Sequence, residues 1–216
     1  MKTFFAVLML ASSVIMTARE RDMVKVFLFS QFESGSVMIK GNNTPVSAKL
    51  NYDMVNGRMM YVEADSTVYL LESKGVILIT IGEKSFIPAQ NGSFYELINK
   101  GDFEYYINHI SEIASKGKAA GFGAYSQTAS VSGLTTSAQM SGIWNFIGAD
   151  EQFEGMDQSV LLIKGDKKFQ KIVTLNGLVK LFKPHKAAIE SFAKDNKTKF
   201  SNLEDVISIV EYAYSL

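Results

Sequence analysis

Two histidines, His109 and His185, are the only imidazoles in this 216-residue chain, and cysteine is absent. That inventory removes thiolate nucleophiles, disulfides and lipid attachment through an N-terminal cysteine. A two-histidine metal site would need His109 and His185 to converge from distant segments. A Ser-His-Asp relay for acyl transfer is composable from Ser126, His109 and any of several carboxylates, but geometry, not inventory, defines such a relay. The bland alternative places His109 half-buried at a strand end and His185 exposed beside Pro184. Asp53, Glu63 and Asp65 lie near one hairpin, and Glu151, Glu154 and Asp157 precede the late strands. Paired carboxylates of this kind serve glycoside hydrolysis or calcium binding, although acidic loop residues are common without either use.

No H-E-x-x-H, G-x-S-x-G or calcium-loop pattern occurs. Gly121-Phe122-Gly123-Ala124-Tyr125-Ser126 is similar to a G-x-G-x-x-G loop that has lost its last glycine. Such a loop must follow a strand and open a helix to place a pyrophosphate on the helix N-terminus, and neither flank supplies that context. Two aromatics are expected to meet a ligand: Tyr125, in this glycine-rich stretch, and Trp144, beside Phe146. The tyrosines and phenylalanines of the first half (Tyr52, Tyr61, Tyr69, Phe94, Tyr95 and Tyr105 among them) are expected mostly in the core or in cross-strand pairs. No cofactor is implied. Asn42-Asn43-Thr44, Asn91-Gly92-Ser93 and Asn196-Lys197-Thr198 fit the glycosylation sequon, which carries meaning only in a eukaryotic source.

The elements that would position these residues follow from periodicity. Val46, Ala48, Leu50 and Tyr52 alternate with polar residues, and Asn56-Gly57 is expected to join Leu50–Val55 to Arg58–Ala64 through a type I′ turn. Thr67–Leu71 and Val76–Ile81 repeat the scheme around Glu72-Ser73-Lys74-Gly75. Ser85–Pro88 and Phe94–Leu97 do so around Asn91-Gly92. Val76–Ile81 is apolar on both faces and predicts a central strand covered on each side. Phe103–Ile110 fits either period and is read as a strand. Residues 115–142, rich in Gly, Ser, Ala and Thr, are expected to form a long flexible loop, functional or merely solvated. Ile143–Ile147 restores order, and Ser159–Lys164 and Lys168–Val173 predict a hairpin. Leu175, Leu178, Val179 and Phe182 then mark a helix ending before Pro184. Pro184 can open the next, with an apolar face of Ala187, Ile189 (or Ala188) and Phe192. Ser201-Asn202-Leu203-Glu204 predicts a capping box ahead of a stripe of Leu203, Val206, Ile207, Val210 and Ala213 or Tyr214. The fold class is α+β: a curved antiparallel meander or half-barrel packed with two or three C-terminal helices.

Lys2 precedes an unbroken apolar run, Phe4–Leu10, and a small-residue stretch closes at Ala18. These are the proportions of a secretory signal peptide, too short to span a bilayer. Cleavage is expected after Ala18, with a cut after Ser13 as the alternative, leaving residues 19–216 as one exported domain with no transmembrane segment. The 47% apolar content of the full chain suffices for a core without disulfides. The absence of cysteine fits a bacterial envelope better than an animal secretion.

The formal net charge is zero, yet Leu161–Phe200 holds ten lysines against Asp166, Glu190 and Asp195. Lysines at these spacings ordinarily form the wet faces of helices; the alternative is a patch for phosphates, anionic glycans or a membrane surface. Export and the lack of arginine in the patch argue against nucleic acid.

Leu50-Asn51-Tyr52-Asp53, Asn56-Gly57-Arg58-Met59-Met60, Ile81-Gly82-Glu83-Lys84-Ser85-Phe86-Ile87-Pro88 and Ser93-Phe94-Tyr95-Glu96-Leu97, together with Ser159–Tyr212, resemble a group of uncharacterised exported proteins of Bacteroidetes bacteria. The resemblance implies an envelope location and carries no catalytic residue. The expectation is thus a periplasmic, cell-surface or secreted non-enzymatic protein that binds an envelope protein, glycan or small ligand. The alternative is a secreted hydrolase acting on a glycan or ester, through carboxylates near the long loop or Ser126 with His109. An eight-strand outer-membrane barrel is excluded by the helical C-terminus.

Overall fold

The structure is a computed structural model and describes residues 27–64, 67–89, 92–115, 118–120, 124–126, 153–165 and 168–216. In chain order the strands are β1 (Glu33–Ile39), β2 (Val46–Asp53), β3 (Arg58–Val62), β4 (Val68–Leu70), β5 (Val76–Ile81), β6 (Lys84–Pro88), β7 (Phe94–Asn99), β8 (Glu104–Asn108), β9 (Ser111–Ser115), β10 (Lys118–Ala120), β11 (Ala124–Ser126), β12 (Phe153–Asp157), β13 (Val160–Lys164) and β14 (Phe169–Lys171). Helices α1 (Leu175–Leu181), α2 (Lys186–Asp195) and α3 (Leu203–Tyr214) follow. This is the α+β class, with an antiparallel meander ahead of three helices. Among the described residues β4 and β14 each have a single neighbour in the strand order.

The chain groups into two compact units. One comprises residues up to Glu33, Ala48–Leu71 and Ser111–Asp157; the other comprises Ser34–Ser47, Glu72–Ile110 and Gln158–Leu216.

In the first unit, β2, β3 and β4 form a meander, and Tyr61 stacks on its cross-strand partner Tyr69 with ring centroids 5.4 Å apart. The β2–β3 turn differs from the expected two-residue type I′. Asp53 pairs with Arg58, so the loop has four residues, and only Gly57 (φ 66°) takes a left-handed conformation. Asn56 is recruited to Asp53 instead: its amide and Nδ2, with the Val55 amide, donate to the Asp53 carboxylate at 2.7–3.2 Å. Asn51 has an equally structural role. Its Nδ2 donates to the Phe29 and Gln31 carbonyls and its Oδ1 accepts the Phe29 amide, which ties the incoming segment to β2. Strands β9 and β12 pair with each other, as do β10 and β11. Strands therefore occupy 118–120 and 124–126, inside the stretch read as loop from residue 115, while 127–142 and Ile143–Ile147 lie outside the described residues.

In the second unit the strand order is β14-β13-β8-β7-β6-β5-β1, antiparallel throughout. The register aligns Val37, Ile79, Phe86, Glu96, Ile107 and Leu161 in one row across six strands, and all six are buried. On the helix-covered part of that face, Tyr105, Ile107, Leu161 and Ile163 share one core with Leu178, Val179, Ile189, Val206, Ile209 and Val210. The expectation that Val76–Ile81 is covered on both sides needs correction at one residue. Met38 pairs with Leu78 and Ile39 with Val76, so Ile77 is the extra residue of a β-bulge, and it is 49% exposed. A bulge of this kind redirects one side chain without ending the strand.

The helices refine three further expectations. Pro184 sits in a 3-10 turn, Lys183–His185, immediately ahead of α2. Ile189 and Ala193 are the buried residues of α2 while Ala187 faces solvent. The N-cap of α3 is Asn202, not Ser201. Asn202 is extended (φ −110°, ψ 119°) and accepts the Asp205 amide at 3.1 Å, while the Asp205 carboxylate accepts the Lys199 amide at 2.8 Å. Asparagine caps as well as serine does, and here it is the residue at the helix entry. Asn202→Ala is expected to destabilise the protein by about 1 kcal/mol in urea unfolding, and Ser201→Ala by much less; the opposite ranking would restore the capping box.

Candidate functional site

A cluster of three polar side chains interrupts the apolar row of the second unit. Glu96 lies in the middle of β7, in the inward phase shared by Phe94, and is only 2% exposed. Its ladder partners, Phe86 on β6 and Ile107 on β8, fix what can reach it. Lys84 lies two residues before Phe86 and His109 two residues after Ile107, so both occupy diagonal positions on the same face, within reach of long side chains. Lys84 Nζ lies 2.7 Å from Glu96 Oε1, and His109 Nε2 lies 2.5 Å from Oε2. An ionised carboxylate only accepts, so Nε2 carries the proton in this pairing.

Burial pushes the Glu96 carboxyl up, but the hydrogen bonds from His109 and Lys84, with their charges, outweigh it and hold the group below the usual carboxylate range. His109 is buried, and Lys84 keeps much of its side chain in solvent. The arrangement orients an imidazole with a buried carboxylate. It equally serves as a hydrogen-bonded structural link between neighbouring strands.

Asp53, in the first unit, is fully buried. Desolvation raises its carboxyl above the ordinary value, against hydrogen bonds from Asn56 and Val55 and the charge of Arg58. With both oxygens held by its own turn, it organises the β2–β3 loop. In the same unit Ser111 Oγ is buried with no hydrogen-bond partner among the described residues.

The residues singled out from the sequence are not drawn together by what is described. Tyr125 belongs to β11, where it pairs with Ala119, and Ser126 pairs with Lys118. Strand β11 begins at Ala124, where a phosphate loop would open a helix. Trp144, Asp65 and Glu151 lie outside the described residues. Glu154 and Asp157 lie in β12, and His185 closes the 3-10 turn before α2. The carboxylate beside His109 is Glu96, which the sequence reading did not weigh, although the alternation of Phe94-Tyr95-Glu96-Leu97 places it in the buried phase. Among the described residues no group of three His, Asp or Glu side chains gathers to hold a metal ion, and no helix is long and apolar enough to cross a membrane.

Compared with protein-family models, with curated proteins and with solved structures, the chain has no match.

Proposed function

We propose that this chain is an exported, non-enzymatic binding or interaction protein of a bacterial cell envelope, of the kind suggested by its resemblance to exported Bacteroidetes proteins. The observation that supports the non-enzymatic part of this reading is the Lys84–Glu96–His109 cluster. The buried imidazole is paired with a carboxylate whose other oxygen is held by a lysine, an arrangement suited to fixing three strands together. Export rests on the Lys2, Phe4–Leu10 and Ala18 pattern, and residues 1–26 lie outside the described residues. Tyr125 and Trp144 remain the proposed ligand-contacting residues on sequence grounds.

The Glu96–His109 pair also favours a second reading, a hydrolase acting on a glycan or ester, because a carboxylate that holds an imidazole tautomer is half of a catalytic relay. One experiment separates the two. The chain is produced in a bacterium with its N-terminus intact, recovered from periplasm and cytoplasm, weighed by mass spectrometry and offered chromogenic esters and glycosides. The expected result is a periplasmic protein beginning at Arg19 (or Val14) with no saturable turnover, in which His109→Ala lowers the melting temperature. A cytoplasmic protein retaining residues 1–18 would overturn export. Turnover abolished by His109→Ala with an unchanged melting curve would establish the hydrolase.

A further inference from the structure

Six large apolar side chains stand out as exposed among the described residues, and four of them, Met38, Ile39, Val46 and Ile77, gather at one end of the second unit, which includes the first two residues of β2. Met38 and Ile39 end β1, and Val46 opens β2 on the far side of the Lys40–Pro45 turn. Ile77 is the bulged residue of β5, just past the turn that ends at Gly75. The two turns are adjacent, because the Lys40 amide donates to the Gly75 carbonyl at 2.7 Å. The exposures are 38% for Met38, 36% for Ile39, 45% for Val46 and 49% for Ile77, in a molecule whose other isoleucines on β5 are buried. The bulge is what turns Ile77 out of an otherwise inward-facing series.

Charge brackets this tip. Lys40 and Lys74, one on each turn, are exposed and have no ion-pair partner among the described residues; Glu72 is the acidic neighbour on the second turn. We propose that this double-turn tip docks shallowly on an anionic lipid bilayer. Its isoleucines, methionine and valine would enter the acyl boundary, and Lys40 and Lys74 would meet lipid phosphates. Apolar side chains with flanking lysines are what interfacial attachment to anionic lipid requires. A second copy of the chain is the weaker occupant: four side chains half or more covered offer on the order of 300 Å², the size of an ordinary surface patch, against about 800 Å² per partner in a stable protein interface. The proposal goes beyond the binding role above and stands whether or not Tyr125 and Trp144 meet a ligand.

The absence of cysteine makes the test direct. Asn43→Cys, at the exposed crest of the first turn, and Asn176→Cys, on the exposed side of α1, are each labelled in the full chain with an environment-sensitive fluorophore. Each is mixed with vesicles rich in phosphatidylglycerol or made of phosphatidylcholine alone. The expected result is a blue shift at position 43 with the anionic vesicles and none at position 176. The vesicle concentration for half-maximal shift should rise about tenfold in Ile39→Ser/Ile77→Ser and in Lys40→Glu/Lys74→Glu, and with added salt. Because the label reports the tip itself, attachment through another part of the chain does not mimic this pattern. No shift at position 43, equal shifts at both positions, equal response to both lipids, or a shift that grows with protein concentration without vesicles would each overturn the proposal, the last in favour of self-association. Unchanged melting curves for the surface variants confirm that the loss is one of docking.

Discussion

Replacing Glu96 with alanine is expected to destabilise the protein by about 1–3 kcal/mol, the typical penalty for leaving a buried hydrogen-bond donor without its acceptor. The carboxylate is 2% exposed and is the acceptor for both Lys84 and His109, so its removal takes that acceptor from a buried imidazole N–H, while Lys84 can turn to solvent. Lys84→Met should have a much smaller effect, below about 1 kcal/mol, because that lysine is substantially solvated and screened. The pH dependence has a definite sign. In the folded chain the Glu96 carboxyl sits below its ordinary value, so ionised Glu96 contributes stability that is complete above the unfolded value, about 4.3. That contribution disappears as pH falls through the lowered folded value. Urea unfolding followed from neutral pH into the acid range should show the wild type losing more stability than Glu96→Gln. Parallel pH profiles for the two would remove Glu96 from the account of acid stability, and a Glu96→Ala protein as stable as wild type would dissolve the triad as a structural element.

The meander was legible because its chemistry is local: two-residue alternation and turn residues recur at short intervals from Val46 to Asn108. What local chemistry left open was settled by partners. Gly82-Glu83 joins Ile81 to Lys84 in a two-residue turn, and Gly82 (φ 56°) is the residue that permits it. That signal was present and is as informative as Asn56-Gly57, whose expected type I′ geometry yielded to Asp53 capture of Asn56. The Ile77 bulge was not legible, because a bulge is a property of two strands and Val76–Ile81 carries no mark of how β1 will pair with it. The site was half legible. Glu96 announces itself as a carboxylate in the buried phase of a strand, and His109 falls in the same phase as Ile107; their meeting depends on the β6-β7-β8 register, which places both Lys84 and His109 diagonal to Glu96. Carboxylates in loops are conspicuous in a sequence, whereas this cluster sits inside the sheet, where a lone Glu in an apolar strand gives no sign of its partners.

The phase of α3 provides the sharpest test of how the second unit is packed. The sequence stripe of Leu203, Val206, Ile207, Val210 and Ala213 or Tyr214 leaves Ile209 outside the core, yet Ile209 is fully buried along with Val206, Val210 and Ala213, and Ile207 is only partly covered. Apolar residues occupy most positions of this helix, so periodicity alone cannot choose between the two isoleucines; the sheet chooses. Tyr105 on β8 donates to Glu211 at 2.8 Å, and Lys100 lies 3.1 Å from the same carboxylate, which sets the helix rotation from outside the apolar stripe. With Glu211 held against β8, Ile209 turns into the core shared with Leu161 and Ile163. Ile209→Ala should therefore create a cavity against a close-packed surface and cost about 2–5 kcal/mol. Ile207→Ala should cost less than half as much, because solvent already reaches that side chain and no enclosed void is left. Urea midpoints at matched m-values measure both. Equal losses, or a larger one at Ile207, would return α3 to the rotation read from the sequence and displace Tyr105 and Glu211 as the contacts that set it.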